Sequence, residues 1–106
     1  MKLNDTTLAR ELCLIDGQWR GAHGGQTLAV TNPATGDPIA HVQRMGEAET
    51  REAIDAAHRA LPAWRARPAK ERAAALRAWH AAILAHVEDL ALILTSEQGK
   101  PLAEAR

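Results

Sequence analysis

The sequence predicts an α/β fold in which two short antiparallel β-hairpins are followed by three to four α-helices. The first 46 residues are rich in turn-forming residues, and short apolar runs lie between them. From Glu47 onward, alanine-rich segments carry their larger apolar residues at helical spacing. This change divides the chain into a β-hairpin segment, residues 1–46, and a helical segment, residues 47–106.

Each predicted hairpin is marked by its turn. Asp16-Gly17 favours a two-residue turn after the apolar run that ends at residue 15. A second strand pair is expected between residues 27–31 and 38–44. Gly36 can supply the positive φ that a tight reversal there requires.

The helical segment has recognisable start signals. Gly46 can act as an N-cap, and Glu47 and Glu49 then occupy the first turn, where the helix dipole favours negative charge. Pro62 is expected to end or kink this helix near Leu61, because proline removes a backbone donor and disfavours helical geometry before it.

A second helix is expected to start at Pro68, and a break near residues 86–88 is left open. Gly99 is a candidate C-cap, and Pro101 is expected to open a further helix. The second helical region carries one apolar stripe, formed by Leu76, Trp79, Ile83, Val87, Leu90 and Leu94.

Composition limits the possible partners. The 13 basic and 13 acidic residues give zero net charge, so we expect neither nucleic acid nor a membrane as partner.

The chain holds 23 alanines but only 20 Leu, Ile or Val residues and no Phe or Tyr. This is little apolar area for an independent core. We therefore expect an incomplete unit whose apolar faces need a further surface.

The N-terminal residues lack the apolar run of a secretory signal, and no apolar stretch approaches the length that spans a bilayer. Cys13 is the only cysteine, which fits a reducing compartment, and a cytoplasmic location is expected. Cys13 lies between Leu12 and Leu14 with no basic neighbour in the sequence. We interpret it as a structural thiol rather than a nucleophile.

Other candidates for chemistry are weak. The five histidines show no metal-ligand spacing, and the glycines between residues 17 and 25 do not form a phosphate-binding motif. A basic cluster lacks the aromatic platform typical of nucleic-acid binding, so a solvated or intersubunit face is the better interpretation. Its members are Arg59, Arg65, Arg67, Lys70, Arg72 and Arg77.

Several fragments, taken in order, resemble the opening of the aldehyde dehydrogenase superfamily, and in particular its succinate-semialdehyde branch. The resemblance covers residues 12 to 106. The fragments are Leu-Ile-Asp-Gly-Gln-Trp at 14–19, Thr-Asn-Pro-Ala-Thr-Gly at 31–36, Ala-Ala-His-Arg-Ala-Leu-Pro-Ala-Trp at 56–64, Glu-Arg at 71–72 and Glu-Gln-Gly-Lys-Pro-Leu at 97–102.

The resemblance implies NAD(P)-dependent oxidation of an aldehyde to an acid, with succinate semialdehyde as the substrate. Thioester formation on a cysteine and cofactor binding belong to later parts of such enzymes. No catalytic or cofactor-binding residue is therefore expected in this chain, which by itself should be inactive and bind neither NADP nor NAD. The implied partners are the remainder of an aldehyde dehydrogenase chain and further copies in a dimer or tetramer.

The resemblance also implies one candidate site. Some family members bind a monovalent cation through carbonyl groups before the Asn-Pro turn and through an acid before Gly-Lys-Pro. The matching positions are Val30, Thr31 and Glu97, and oxygen ligands suit a hard cation. Alternatively, Glu97 accepts backbone or lysine hydrogen bonds at a helix end. Pro68 departs from the family, which often has a Ser or Thr cap there.

A second hypothesis is a stand-alone helical interaction module derived from an aldehyde dehydrogenase. It predicts a defined dimer that buries the stripe between Leu76 and Leu94. The fragment hypothesis instead predicts exposed apolar faces around Ile54 and Trp79.

Overall fold

The computed structural model describes residues 1–106 and confirms two antiparallel hairpins followed by helices. The assignment of 1–46 and 47–106 to parts of a larger domain stays a prediction. A single 3-10 turn spans Thr6–Leu8. The strands are β1 (Cys13–Ile15), β2 (Gln18–Arg20), β3 (Thr27–Thr31) and β4 (Pro38–Gln43). The helices are α1 (Glu47–Ala66), α2 (Ala69–Ala85), α3 (Val87–Gln98) and α4 (Leu102–Ala105).

The two hairpin turns form where the sequence predicts them. Asp16 and Gly17 have φ values of 53° and 73°, so both central residues of the first turn are left-handed. This is the combination whose twist matches a two-stranded hairpin. In the second turn the Asn32 N–H donates to the Asp37 carbonyl at 2.8 Å, and Gly36 has φ 80°.

The prediction that Pro62 ends or kinks α1 is wrong, because the helix continues to Ala66. Pro62 removes only the bond to the carbonyl four residues earlier, at His58, and this region of the helix is exposed to water. The end of α1 is also stabilised from outside. Arg72 Nη1 donates to the carbonyls of Arg65 at 3.1 Å and Arg67 at 2.6 Å.

The open question of a break near residues 86–88 is resolved in favour of a break. The axes of α2 and α3 meet at 72°, and His86 lies between them. The sequence interpretation of Leu76 to Leu94 as a single stripe is therefore wrong, since the two halves follow different axes. No single helix is long and apolar enough to cross a bilayer, and α2 and α3 would qualify only when taken together despite this bend.

Gly99 ends α3 as a left-handed C-cap, as predicted, with φ 80° and its N–H donating to the Thr95 carbonyl at 2.9 Å. The same residue lies against the turn of the second hairpin. A Cβ atom on Gly99 would lie 3.0 Å from Cγ of Pro33. Glycine therefore serves both the helix end and the close approach of α3 to that turn.

The predicted shortage of core is present in the structure. The only buried apolar residues are Ile15, Ala56 and Ala91. The radius of gyration is 16.7 Å, whereas a compact domain of this size has about 13 Å. Ile54 is 62% exposed and Trp79 is 66% exposed, as the fragment hypothesis predicts.

A buried carboxylate connects the hairpins to the helices. Glu49 is 6% exposed and accepts the His23 N–H at 2.8 Å and the Gly46 N–H at 3.0 Å. The His23 bond is the largest of the contributions that lower the pKa of Glu49 below its ordinary value. Glu49 thus caps α1 and also holds the connection between the two hairpins.

We expect Gly99→Ala to lower the free energy of unfolding by about 1–2 kcal/mol, because a left-handed backbone strains any Cβ and Pro33 leaves no room for one. The measurement is the midpoint of the thermal loss of helicity. Gly24→Ala is the matched control, because Gly24 does not have a positive φ and a Cβ there would meet only Cγ of Gln26 at 3.9 Å, an ordinary contact. Its effect should stay within about 0.5 kcal/mol. Equal midpoints for the two variants would contradict this account of Gly99.

We expect Glu49→Gln to lower the thermal midpoint at pH 7 and to have a shrinking effect as the pH falls. The pKa of Glu49 is lower in the folded chain than its ordinary value of 4.5. The Glu49 carboxylate therefore stabilises the folded state fully above pH 4.5, and this stabilisation is lost as the pH falls through the pKa of the folded state. Thermal midpoints between neutral and acidic pH measure this dependence. The control is Glu47→Gln, because Glu47 is exposed and pairs only with Arg51 on its own helix. A Glu49→Gln effect that does not change with pH would count against the interpretation.

Candidate functional site

The three residues of the candidate cation site lie on two elements that approach one another. Val30 and Thr31 end β3, and Glu97 lies in the last turn of α3. The contact of Gly99 with Pro33 brings the end of α3 against the turn that follows β3. Glu97 lines the same cleft as Ala40, the cross-strand partner of Val30.

The backbone next to β3 suits an oxygen-donor site. The register of β3 and β4 shifts between Val30 and Thr31, and Thr31 then faces Pro38. Proline has no N–H, so Pro38 cannot donate a ladder hydrogen bond to a carbonyl of β3. Glu97 is exposed and takes part in no hydrogen bond or salt bridge. Within this chain Glu97 therefore accepts no backbone or lysine hydrogen bond, and the choice between that role and a cation ligand stays a prediction.

The cleft that contains Glu97 has a volume of about 400 Å³. Ile93 and Glu97 of α3 form one wall, and the two hairpins form another. The third wall is the N-terminal segment. Apolar side chains predominate, and the polar ones are Arg10, Glu11 and Glu97. The hairpin residues are Trp19, Ile39, Ala40 and Val42, and those of the N-terminal segment are Met1, Leu8, Ala9, Arg10, Glu11 and Leu12.

A second buried carboxylate holds the N-terminal segment against α3. Asp89 is 4% exposed. Its two oxygens accept the backbone N–H groups of Asn4 at 2.9 Å and Asp5 at 2.8 Å, and the Asn4 amide donates at 3.2 Å. The Asn4 and Asp5 backbone bonds hold the pKa of Asp89 below its ordinary value, and the charge of His86 acts in the same direction.

Cys13 is half-buried in β1, which agrees with a structural thiol. The sequence neighbours of Cys13 are apolar, but the strand register places Arg20 opposite it. Arg20 is engaged elsewhere, because its guanidinium pairs with Glu52. His23 also contacts Glu52, with Nε2 3.2 Å from Oε1. No cluster of three or more His, Cys, Asp and Glu side chains converges to hold a metal.

The burial of Glu49 and Asp89, their partners distant in sequence and the role of Arg72 were not predicted from the sequence. Arg72 belongs to the basic cluster, yet it terminates α1 by binding carbonyls rather than facing a partner. Glu49 stands out in the sequence only as an acid three residues after the cap, which is half of a capping-box signature. Nothing in the sequence distinguishes Asp89 from its neighbour Glu88, whose partner is the terminal Arg106 at 2.9 Å.

Known proteins resemble this chain in both sequence and structure. The chain is 58% identical over all 106 residues to the NADP+ succinate-semialdehyde dehydrogenase of Escherichia coli. It is 56% identical to the glutarate-semialdehyde dehydrogenase of Pseudomonas putida. In both comparisons the whole chain spans 22% of the relative.

Solved structures give the same result. The crystal structure of an NADP-dependent enzyme from E. coli superposes with a TM-score of 0.96 at 58% identity, over 98% of this chain and 22% of that one. The succinate-semialdehyde dehydrogenase of Burkholderia pseudomallei superposes with a TM-score of 0.96 at 50% identity, over 99% and 22%. The sequence profile of the Aldehyde dehydrogenase family matches residues 19–106. The chain therefore belongs to the aldehyde dehydrogenase family.

Proposed function

We propose that the chain is a structural segment of an NAD(P)-dependent aldehyde dehydrogenase that oxidises succinate semialdehyde to succinate. In this reaction the aldehyde and one water become the carboxylate, a hydride passes to the oxidised nicotinamide, and two protons are released. The observation that carries the proposal is the 58% identity, over the full 106 residues, to a succinate-semialdehyde dehydrogenase. Glutarate semialdehyde, one methylene longer, is the competing substrate, because a glutarate-semialdehyde dehydrogenase is 56% identical.

In this proposal the catalytic groups and the cofactor site lie outside the segment, which is itself inactive. The cleft near Glu97 has apolar walls and no nucleophile with an adjacent base. The segment would act as a scaffold that packs on the remainder of the enzyme. Its exposed apolar side chains support this role, because Ile54, Leu76 and Trp79 are all more than half exposed.

The stand-alone module is the weaker alternative. A dimer that buries the region between Leu76 and Leu94 requires a continuous apolar stripe along one axis. The 72° bend between α2 and α3 interrupts that stripe at His86. The structure of α2 and α3 therefore favours a surface that follows the bend, such as the rest of a larger enzyme.

We further propose that Val30, Thr31 and Glu97 hold a monovalent cation in that enzyme. Two observations support the proposal. Glu97 has no hydrogen-bond or ion-pair partner within the chain, and Pro38, which lies opposite Thr31, has no N–H to donate to the Thr31 carbonyl. The cation would connect the end of α3 to the second hairpin, the two elements that already meet where Gly99 contacts Pro33.

The enzyme that contains this segment should reduce NADP+ in the presence of succinate semialdehyde, with a higher kcat/KM than for glutarate semialdehyde. The absorbance of the reduced nicotinamide measures both rates. The 106-residue chain alone is the control and should show no turnover. Turnover by that chain, or a preference of the enzyme for the longer substrate, would contradict the proposal.

For the cation, potassium should raise the thermal midpoint of the enzyme when the ionic strength is kept constant with choline chloride. Glu97→Gln should raise the half-saturating potassium concentration by about tenfold, because it removes the only charged donor. Glu104→Gln, in exposed α4, is the matched control and should leave the response unchanged. If Glu97→Gln lowers the midpoint equally with and without potassium, Glu97 has a structural role and binds no cation.

A further inference from the structure

Residues 1–12, here called the cover segment, form the outer wall of the cleft and are attached at two places. At one end, Glu11 is bonded to β4. Its carbonyl accepts the Gln43 N–H at 3.2 Å, and its Oε1 accepts the His41 N–H at 2.9 Å. At the other end, Asn4 and Asp5 donate to Asp89 of α3. The cover segment thus bridges two elements that are far apart in sequence.

The attachment to α3 depends on one side chain. All hydrogen bonds between the cover segment and α3 end on the Asp89 carboxylate. No residue of the cover segment is buried, and Leu3 and Leu8 are only half-buried. Few apolar contacts therefore support this end, and segments with few buried contacts open locally at low free energy.

The attachment to β4 is of a different kind. Glu11 is followed directly by β1, so the chain there is fixed by the first hairpin as well as by the two bonds to β4. Arg10 also lies over the ring of Trp19, with Cζ 4.7 Å from the ring centroid. Release of Asp89 would free residues 1–9, including the 3-10 turn at Thr6–Leu8, while residues 10–12 stay in place.

We propose that the cover segment is a hinged lid over the cleft, with its hinge at Glu11 and its latch at Asp89. Opening the lid separates Met1 and Leu8 from Ile93 and exposes the wall that carries Glu97. Asp89 is a positioning residue in this device, because it acts through the cover segment and does not line the cleft. The proposal of a lid rests only on the geometry of the cleft. It is independent of whether a cation binds at Glu97.

The first test is amide hydrogen exchange in the unmodified enzyme that contains this chain. The Asn4 and Asp5 amides should exchange faster than the amides of Leu90 to Leu94 in α3, because the lid opens while α3 stays folded. If the two groups of amides exchange at one common rate, the segment is released only when the helix unfolds. That result would overturn the proposal without the use of any variant.

The second test is Asp89→Asn, which keeps the size of the side chain but removes its charge. Exchange at Asn4 and Asp5 should become about tenfold faster, because bonds to a charged acceptor are replaced by weaker ones. Hydroxyl-radical oxidation of Trp19 should rise, with a ceiling of about twofold because Trp19 is already 45% exposed. Oxidation of Trp79, which lies outside the cleft and is covered or exposed independently of the cover segment, is the internal standard.

Glu88→Gln is the matched control. It neutralises the adjacent acid, whose partner is Arg106, and should leave exchange in the cover segment and oxidation of Trp19 unchanged. Unchanged exchange at Asn4 and Asp5 in Asp89→Asn would overturn the proposal. Equally faster exchange at Asn4 and Asp5 in Asp89→Asn and Glu88→Gln would also overturn it. The effect would then come from the loss of any negative charge on α3 rather than from the hydrogen bonds of Asp89.

Discussion

Two buried carboxylates, Glu49 and Asp89, hold together a chain that has almost no apolar core. Each lies near the start of a helix, where the backbone dipole favours a negative charge. Each accepts backbone N–H groups from a segment distant in sequence, which compensates for the loss of hydration on burial. With only Ile15, Ala56 and Ala91 buried among the apolar residues, these directional bonds determine where the hairpins and the N-terminal segment lie.

This dependence on a few polar bonds fits the extended shape of the chain and its place in a larger family. Helix α1 packs on the first hairpin through Ala53, Ala56 and Ala57, and large apolar side chains along α1 and α2 face water. A segment of this kind gains most of its apolar burial from surfaces that it does not contain. The relatives are several times longer, since the chain spans 22% of them, and they have room for such surfaces.

The features that could be predicted from the sequence are those governed by local chemistry. The Asp16-Gly17 turn requires a left-handed backbone at two positions and the end of α3 at Gly99 requires one, and such a requirement is visible in two or three adjacent residues. Pro62 misled the prediction, because a proline near an exposed helix end removes a single bond while water and Arg72 satisfy the nearby carbonyls. Asp89 could not be identified, because its partners lie 84 and 85 positions away. The proximity of Glu97 to the second hairpin was predicted only through family resemblance.

The exposed alanines of α2 have a consequence for assembly. Alanine has no rotamer freedom to lose, so covering these positions orders no side chain and carries no such entropic penalty. The short side chains also let a second backbone approach toward the lower end of the usual 8–10 Å interaxial range. The exposed alanines of this helix are Ala69, Ala74, Ala75, Ala78, Ala81, Ala82 and Ala85. Where a surface covers these alanines, the close approach of two backbones would act together with the packing of the larger Leu76 and Trp79 to set the register in which this helix docks.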